Sequence, residues 1–194
     1  MTTKLNVKSN TIVNLFLLLR TSQVFWILSF TFLTAVAAQI TIPVQPIPFT
    51  LQTMMVLLAG ALLGAKNGAY SQLIYLSLGA IGLPIFAHTP DGLYGFARLL
   101  GPTGGYLLAF PAAAFLVGYL VPKNKKYYSV VLSMFAGNLF IILSGTLFLY
   151  IFYLGSFSQA VTAGAAIFTV WMVIKVFTAA TIYFSIAKKF ETLP

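Results

Sequence analysis

Nine of the eleven Lys and Arg residues fall between or beyond long apolar runs, and only on alternate connections. The runs extend from about 24 to 42, 51 to 63, 69 to 86, 105 to 121, 127 to 153 and 160 to 187. If each crosses a membrane, both termini and the connections after the second and fourth runs share one side. That side collects Lys4, Lys8, Arg20, Lys66, Lys123, Lys125, Lys126, Lys188 and Lys189, and the other side keeps only Arg98. An excess of Lys and Arg marks the cytoplasmic face. The expected fold is therefore an all-α integral membrane protein: one bundle over residues 1–194, with six transmembrane helices and both termini cytoplasmic. An odd number of spans would break the partition. Orientation and contact with lipid headgroups account for these nine cations.

Composition agrees with the bilayer as solvent. The chain is 60% hydrophobic and 7% charged, with mean hydropathy +0.97, whereas soluble domains are about 25% charged. The net charge of +9 is scattered between apolar runs. It forms no continuous basic face of the kind that binds nucleic acid. Lys4, Lys8 and Arg20 precede the first run, and Ala35-Val36-Ala37 imitates a signal cleavage site. That site lies beyond the usual reach of a secretory signal, about 15–30 residues. The segment is read as a retained first helix. The second run is short against the roughly 20 residues that span a bilayer, and the third carries Gly79 and Gly82 before Pro84. Such irregularity is tolerated where protein lines a cavity, so a cavity is expected near these runs and their outer loops.

Several chemistries lack their parts. There is no Cys, one His (His88) and two acids (Asp91 and Glu191). That inventory supplies no metal site, no cofactor anchor, and no nucleophile paired with a base. Gly60 to Lys66 reads GALLGAK, which lacks the spacing and the Ser/Thr of a nucleotide-binding loop. Neither acid lies inside a run, so a carboxylate proton relay is missing too. Binding and translocation are expected rather than catalysis.

Two cations remain. Lys175 lies about three helical turns, roughly 18 Å, from the cytoplasmic end of the last run. A cation at that depth is costly and marks a functional site by default. With so few acids in the chain, the simplest counter-charge is an anion from outside it. Arg98 lies in the connection LPIFAHTPDGLYGFARLLGPTGGY, a length typical of lids and binding loops. It can hold a carboxylate through two parallel bonds, or pair with Asp91 in the same loop. His88 and Asp91 are weaker candidates. The GPTGGY turn ahead of the fourth run offers backbone N–H groups to an anion, and Tyr106 within it an aromatic wall. Gln52 and Asn138 are amides in apolar segments, able to bind a polar ring or to join helices. Trp171, one turn before Lys175, offers a second wall. These residues suit a small ligand with an apolar body, a carboxylate and a urea- or amide-like group, reached from outside.

The stretch PFTLQTMMVLLAGALLGAKNGAYSQLIYLSLGAIGLPIFA, with LLGPTGGYLLAF after the loop, resembles the BioY family of biotin transporters. GLPIFA and GPTGGYL together are its most specific part. These proteins are the substrate-binding (S) components of energy-coupling factor (ECF) transporters. The resemblance implies a multi-pass protein of the bacterial cytoplasmic membrane that captures biotin from outside. It also implies partners: a transmembrane coupling protein and two cytoplasmic ATPase subunits. Arg98 matches the family's loop arginine and Lys175 its last-helix lysine, both suited to the biotin carboxylate. Three residues before that lysine the family carries an aspartate, where this chain has Met172; Asp91, Asn138 or Gln52 would then serve the ureido ring. The family's loop amide has His88 nearest in position. Thr31, Thr34, Ala35 and Ala38 have the small-residue spacing with which S components dock their coupling protein. A component for another small anionic vitamin is the alternative, with an intramembrane enzyme well behind.

Overall fold

The computed structural model describes residues 22–42, 47–89, 91–121, 126–165 and 169–190. Lys4, Lys8, Arg20, Lys123, Lys125 and Glu191 lie outside the described residues, as do the side chains of Lys188 and Lys189. The described residues are mostly helical.

Helix α1 (Gln23–Gln39) is capped by Ser22, whose hydroxyl accepts from the Phe25 N–H at 3.4 Å. Phe30, Thr31, Thr34, Ala37 and Ala38 recur at helical spacing and form its buried face. Its outward face carries Val24, Leu28, Phe32 and Val36. An exposed face as apolar as the buried one belongs in lipid, not water. Two short antiparallel strands follow, β1 (Thr41–Ile42) and β2 (Phe49–Thr50), in the register Thr41 to Thr50 and Ile42 to Phe49. They turn the chain back over the start of the next helix.

Helix α2 (Gln52–Ala80) is a hairpin made of two halves. Gly64, at φ 79° and ψ 175°, interrupts it with a conformation that only glycine adopts cheaply. A Cβ on Gly68 would lie 2.8 Å from the Gly60 Cα, although in a straight helix those residues stand about 12 Å apart. The Gln52 side chain likewise bonds Tyr75 near the far end of the second half. The halves therefore run back along each other.

After a loop with positive φ at Gly82, Gly92 and Gly95 come α3 (Phe96–Leu100) and α4 (Gly104–Leu108). Ala109 then leads into α5 (Phe110–Leu120), which carries Pro111 in its first turn, where no intrahelical N–H is needed. Helix α6 (Tyr127–Leu149) continues as a π-helical turn (Tyr150–Leu154) that Gly155 ends at φ 60°. Helices α7 (Phe157–Gly164) and α8 (Thr169–Phe190) complete the described elements. Segments Tyr127–Leu154 and Val170–Ala187 are long and apolar enough to cross a membrane, and Gln23–Gln39 and Gly104–Leu120 are shorter apolar helices.

The first half of α2 packs closely on α5, where a Cβ on Gly118 would lie 2.6 Å from the Gly60 carbonyl oxygen. One core joins Leu57, Leu58, Val117, Met134, Val176 and Tyr183, and a second joins Val56, Tyr75, Phe110, Ala113, Ile141 and Leu149.

Three expectations need correction. The run from 160 to 187 is not one helix, because Ala165 leaves helical geometry at φ −123°. The preceding turn is held instead by the Tyr106 hydroxyl, which donates to the Gly164 carbonyl at 2.9 Å. The run ending at 86 stops being helical at Ala80, ahead of the left-handed Gly82. Finally, the small-residue face of α1 is not open to a partner. Thr31, Thr34 and Ala38 are buried, and Ala35 packs against a core. The Thr31 hydroxyl donates to the Ser71 carbonyl at 2.8 Å, and Gln72 Nε2 donates to Thr34 Oγ1 at 3.2 Å. Small side chains allow α1 to approach the second half of α2, so this face is used within the chain.

Candidate functional site

A cavity of about 660 Å³, counting the open space at its mouth, lies among β2, α2, the loop, α3, α4, α5, α6 and α8. Its apolar walls include Ile47, Pro48, Leu107, Phe110, Ile141 and Ile142. Among the sequence candidates, it brings together Gln52, Arg98, Tyr106, Asn138 and Lys175, with Met172 beside them.

Lys175 projects from α8 and is 7% exposed. Among the described residues its ammonium donates to one group, the Thr53 hydroxyl at 3.1 Å. A hydroxyl satisfies a proton but not a charge. Sequence reasoning missed Thr53; its place next to Gln52 at the start of α2 was the available signal.

Arg98, 2% exposed, sits on the short helix α3 with its guanidinium turned inward. Nη1 donates to Asp91 Oδ1 at 3.1 Å, and Nη2 donates to the Ala87 carbonyl at 2.9 Å. Of the two partners open to Arg98, an outside carboxylate or Asp91, the structure shows Asp91 of the same loop. Asp91 in turn accepts from the Thr89 hydroxyl and the Leu93 N–H, which fixes it behind the arginine. Burial pushes the guanidinium below its ordinary value, opposed by Asp91 and Tyr75. Its Nε–H is buried and unbonded, as is the Thr103 hydroxyl, and both residues line the cavity.

The two amides differ. Gln52 is spent inside the protein: Oε1 accepts from Thr50 at 3.0 Å, and Nε2 donates to Tyr75, whose hydroxyl donates to the Ile85 carbonyl at 3.1 Å. Asn138 faces the cavity. Tyr106 is a wall, its ring packed on Gly145 and its hydroxyl on Gly164. The N–H groups of the GPTGGY turn are partly spent as well, Gly104 on the Gly101 carbonyl and Tyr106 on that of Thr103. The structure does not bring His88, Asp91 or Trp171 into the lining. His88 is exposed. Trp171 is 38% exposed and rests on Phe49, with ring centroids 6.0 Å apart. One residue's shift around α8 separates it from Met172, which does line the cavity.

A part-polar cavity with a buried ammonium, inside a helical bundle with apolar outer faces, defines a membrane protein that binds a small molecule. Its sequence matches across almost its whole length, at residues 3–192, so the chain belongs to the BioY family. The resemblance read from GLPIFA and GPTGGYL is borne out. A probable biotin transporter BioY of Pyrococcus horikoshii is 40% identical over 164 residues, covering 84% of this chain and 95% of that protein. The biotin transporter BioY of Thermotoga maritima is 39% identical over 159 residues, covering 82% and 92%. Among solved structures, the S-component for biotin from an ECF-type ABC transporter superposes with a TM-score of 0.78. It is 25% identical, with 97% of this chain and 95% of that one covered.

Proposed function

We propose that this chain is a biotin-binding S component that takes biotin from the outer side of the cytoplasmic membrane and releases it inside. It is a carrier component and not an enzyme. Its relatives are named for biotin, and one observation carries the ligand chemistry. Lys175 is a buried ammonium whose partner, among the described residues, is a neutral hydroxyl. In a low-dielectric site a cation attracts an anion over several ångströms, and the carboxylate of biotin supplies one. Arg98, already paired with Asp91, adds donors at the loop side, while the apolar walls take the ligand's hydrocarbon. His88, Asp91 and Trp171 serve the loop and the wall from outside the lining.

On this reading the chain is a single domain with six spans and both termini cytoplasmic. The halves of α2 form the second and third spans. With no nucleotide-binding loop in its sequence, it draws energy for uptake from two ATPase subunits through a transmembrane coupling protein. That partner docks on a surface other than the buried face of α1.

Binding of tritiated biotin to the purified chain tests the proposal. The native chain should bind, and Lys175→Met should lose at least about tenfold in affinity, about 1.4 kcal/mol. Its thermal stability should hold, since replacing an uncompensated buried charge by an apolar group costs little. Unchanged affinity in Lys175→Met would remove Lys175 from the site. Capture of another small anionic vitamin, but not biotin, would reassign the component.

A further inference from the structure

The polar groups around the cavity are mostly committed to one another. Both ends of the Gln52 amide are bonded, the Thr53 oxygen accepts from Lys175, and two of the three Arg98 nitrogens are paired. Asn138 is different. It is 3% exposed, lines the cavity, and makes no hydrogen bond among the described residues. An amide within an apolar helix ordinarily bonds to a neighbouring helix, and here that bond is missing. A buried amide has two donors and an acceptor to satisfy, so the cavity side must supply them.

Two ring contacts fix the depth of Asn138. Tyr127 meets Phe184 with centroids 5.5 Å apart, and Phe135 meets Phe177 at 6.1 Å. Each step forward on α6 is therefore matched by a step back on α8, so the two helices are antiparallel. Extended one turn, this register sets Asn138 level with Ile174, between Met172 and Lys175. On that wall α8 offers one cation and a thioether, a weak acceptor with no donor. The facing wall of α6 offers, in Asn138, an amide with both donors and an acceptor.

We infer that Asn138 reads the neutral hydrogen-bonding edge of the ligand, an N–H beside a C=O as in a cyclic urea or lactam. An amide meets such an edge with two parallel bonds, Nδ2–H to the carbonyl and N–H to Oδ1. A carboxylate has no N–H for Oδ1, so Asn138 distinguishes the ligand's ring from its acid. The inference rests on the biotin reading and deepens it, since the ureido ring of biotin presents this edge.

The test compares biotin with 2-iminobiotin, in which a guanidinium replaces the urea, on the native chain and on Asn138→Leu and Asn138→Asp. Asn138→Leu should lower biotin affinity at least about tenfold, the scale of a lost buried hydrogen-bonding partner. In Asn138→Asp the carboxylate can hold the guanidinium bidentately, so the ratio of biotin to 2-iminobiotin affinity should fall by about tenfold or more. That ratio is insensitive to a general loosening of the bundle. A ratio that matches the native chain's in Asn138→Asp, or native biotin affinity in Asn138→Leu, overturns the assignment. Failure of the native chain to bind biotin instead sinks the transport reading, and shows itself before any substitution is made.

Discussion

Lys175 and Arg98 are both cations in a chain with two acids, yet they are held differently. Arg98 is pinned by Asp91 and by a backbone carbonyl, whereas Lys175 has Thr53. Thr53→Val should therefore lower the stability of the ligand-free protein by about 1–3 kcal/mol, the cost of unsatisfying a buried donor. Saturating biotin should shrink the deficit by giving Lys175 an acceptor. Thermal unfolding of the variant with and without biotin checks both statements. Asp91→Asn should also destabilise, by about 1–3 kcal/mol. It removes the counter-charge of a buried guanidinium, but the Asp91 side chain is 36% exposed and the pair partly screened. The burial of Lys175 and the scarcity of acids were legible from the residue string. The Asp91–Arg98 pair was not decided there, because seven positions of Gly-rich loop allow both contact and separation. The choice between the two amides was equally hidden, since it depends on Tyr75 folding back beside Gln52.

Among the elements, α2 shows what glycine contributes. Gly64→Ala should cost about 1–3 kcal/mol from backbone strain alone, because no atom lies within 4 Å of the added methyl. Gly118→Ala acts by another route, forcing a methyl to within 2.6 Å of the Gly60 carbonyl and prising α5 from α2. Comparison of the two by thermal unfolding, with biotin affinity measured alongside, should show the larger loss of affinity for Gly118→Ala, since α5 carries a wall of the cavity. The two halves of α2 were legible in sequence as short runs separated near Gly64. The break at Ala165 was not, as the surrounding Ala163-Gly164-Ala165 has no proline and the Tyr106 hydroxyl that meets the Gly164 carbonyl is distant in sequence. Nor could the small residues of α1 say which helix they face. Close approach within a chain and docking between chains demand the same side chains.

For the whole molecule, the absence of Cys makes the topology directly measurable. A single cysteine replacing Lys66 should react with an impermeant thiol reagent only from the cytoplasmic side. One replacing Tyr94, 79% exposed in the loop, should react only from outside. Labelling of both from the same side would break the six-span reading. The alternation of cations carried this expectation, because orientation depends on where charges fall between runs and not on how helices pack.

The one-residue connection at Gly64 also bears on how the protein is made. The first half of α2 is too short to cover the hydrocarbon thickness of a bilayer, about 30 Å. It is joined to its return limb by a single residue outside helical geometry. A limb of that length cannot be handed to the lipid alone and left waiting for a neighbour. On the six-span reading the two limbs would enter the bilayer as a pair, pressed together along Gly60 and Gly68. The paired limbs would then act as one wedge, with α1 before it and the later helices after it in the chain.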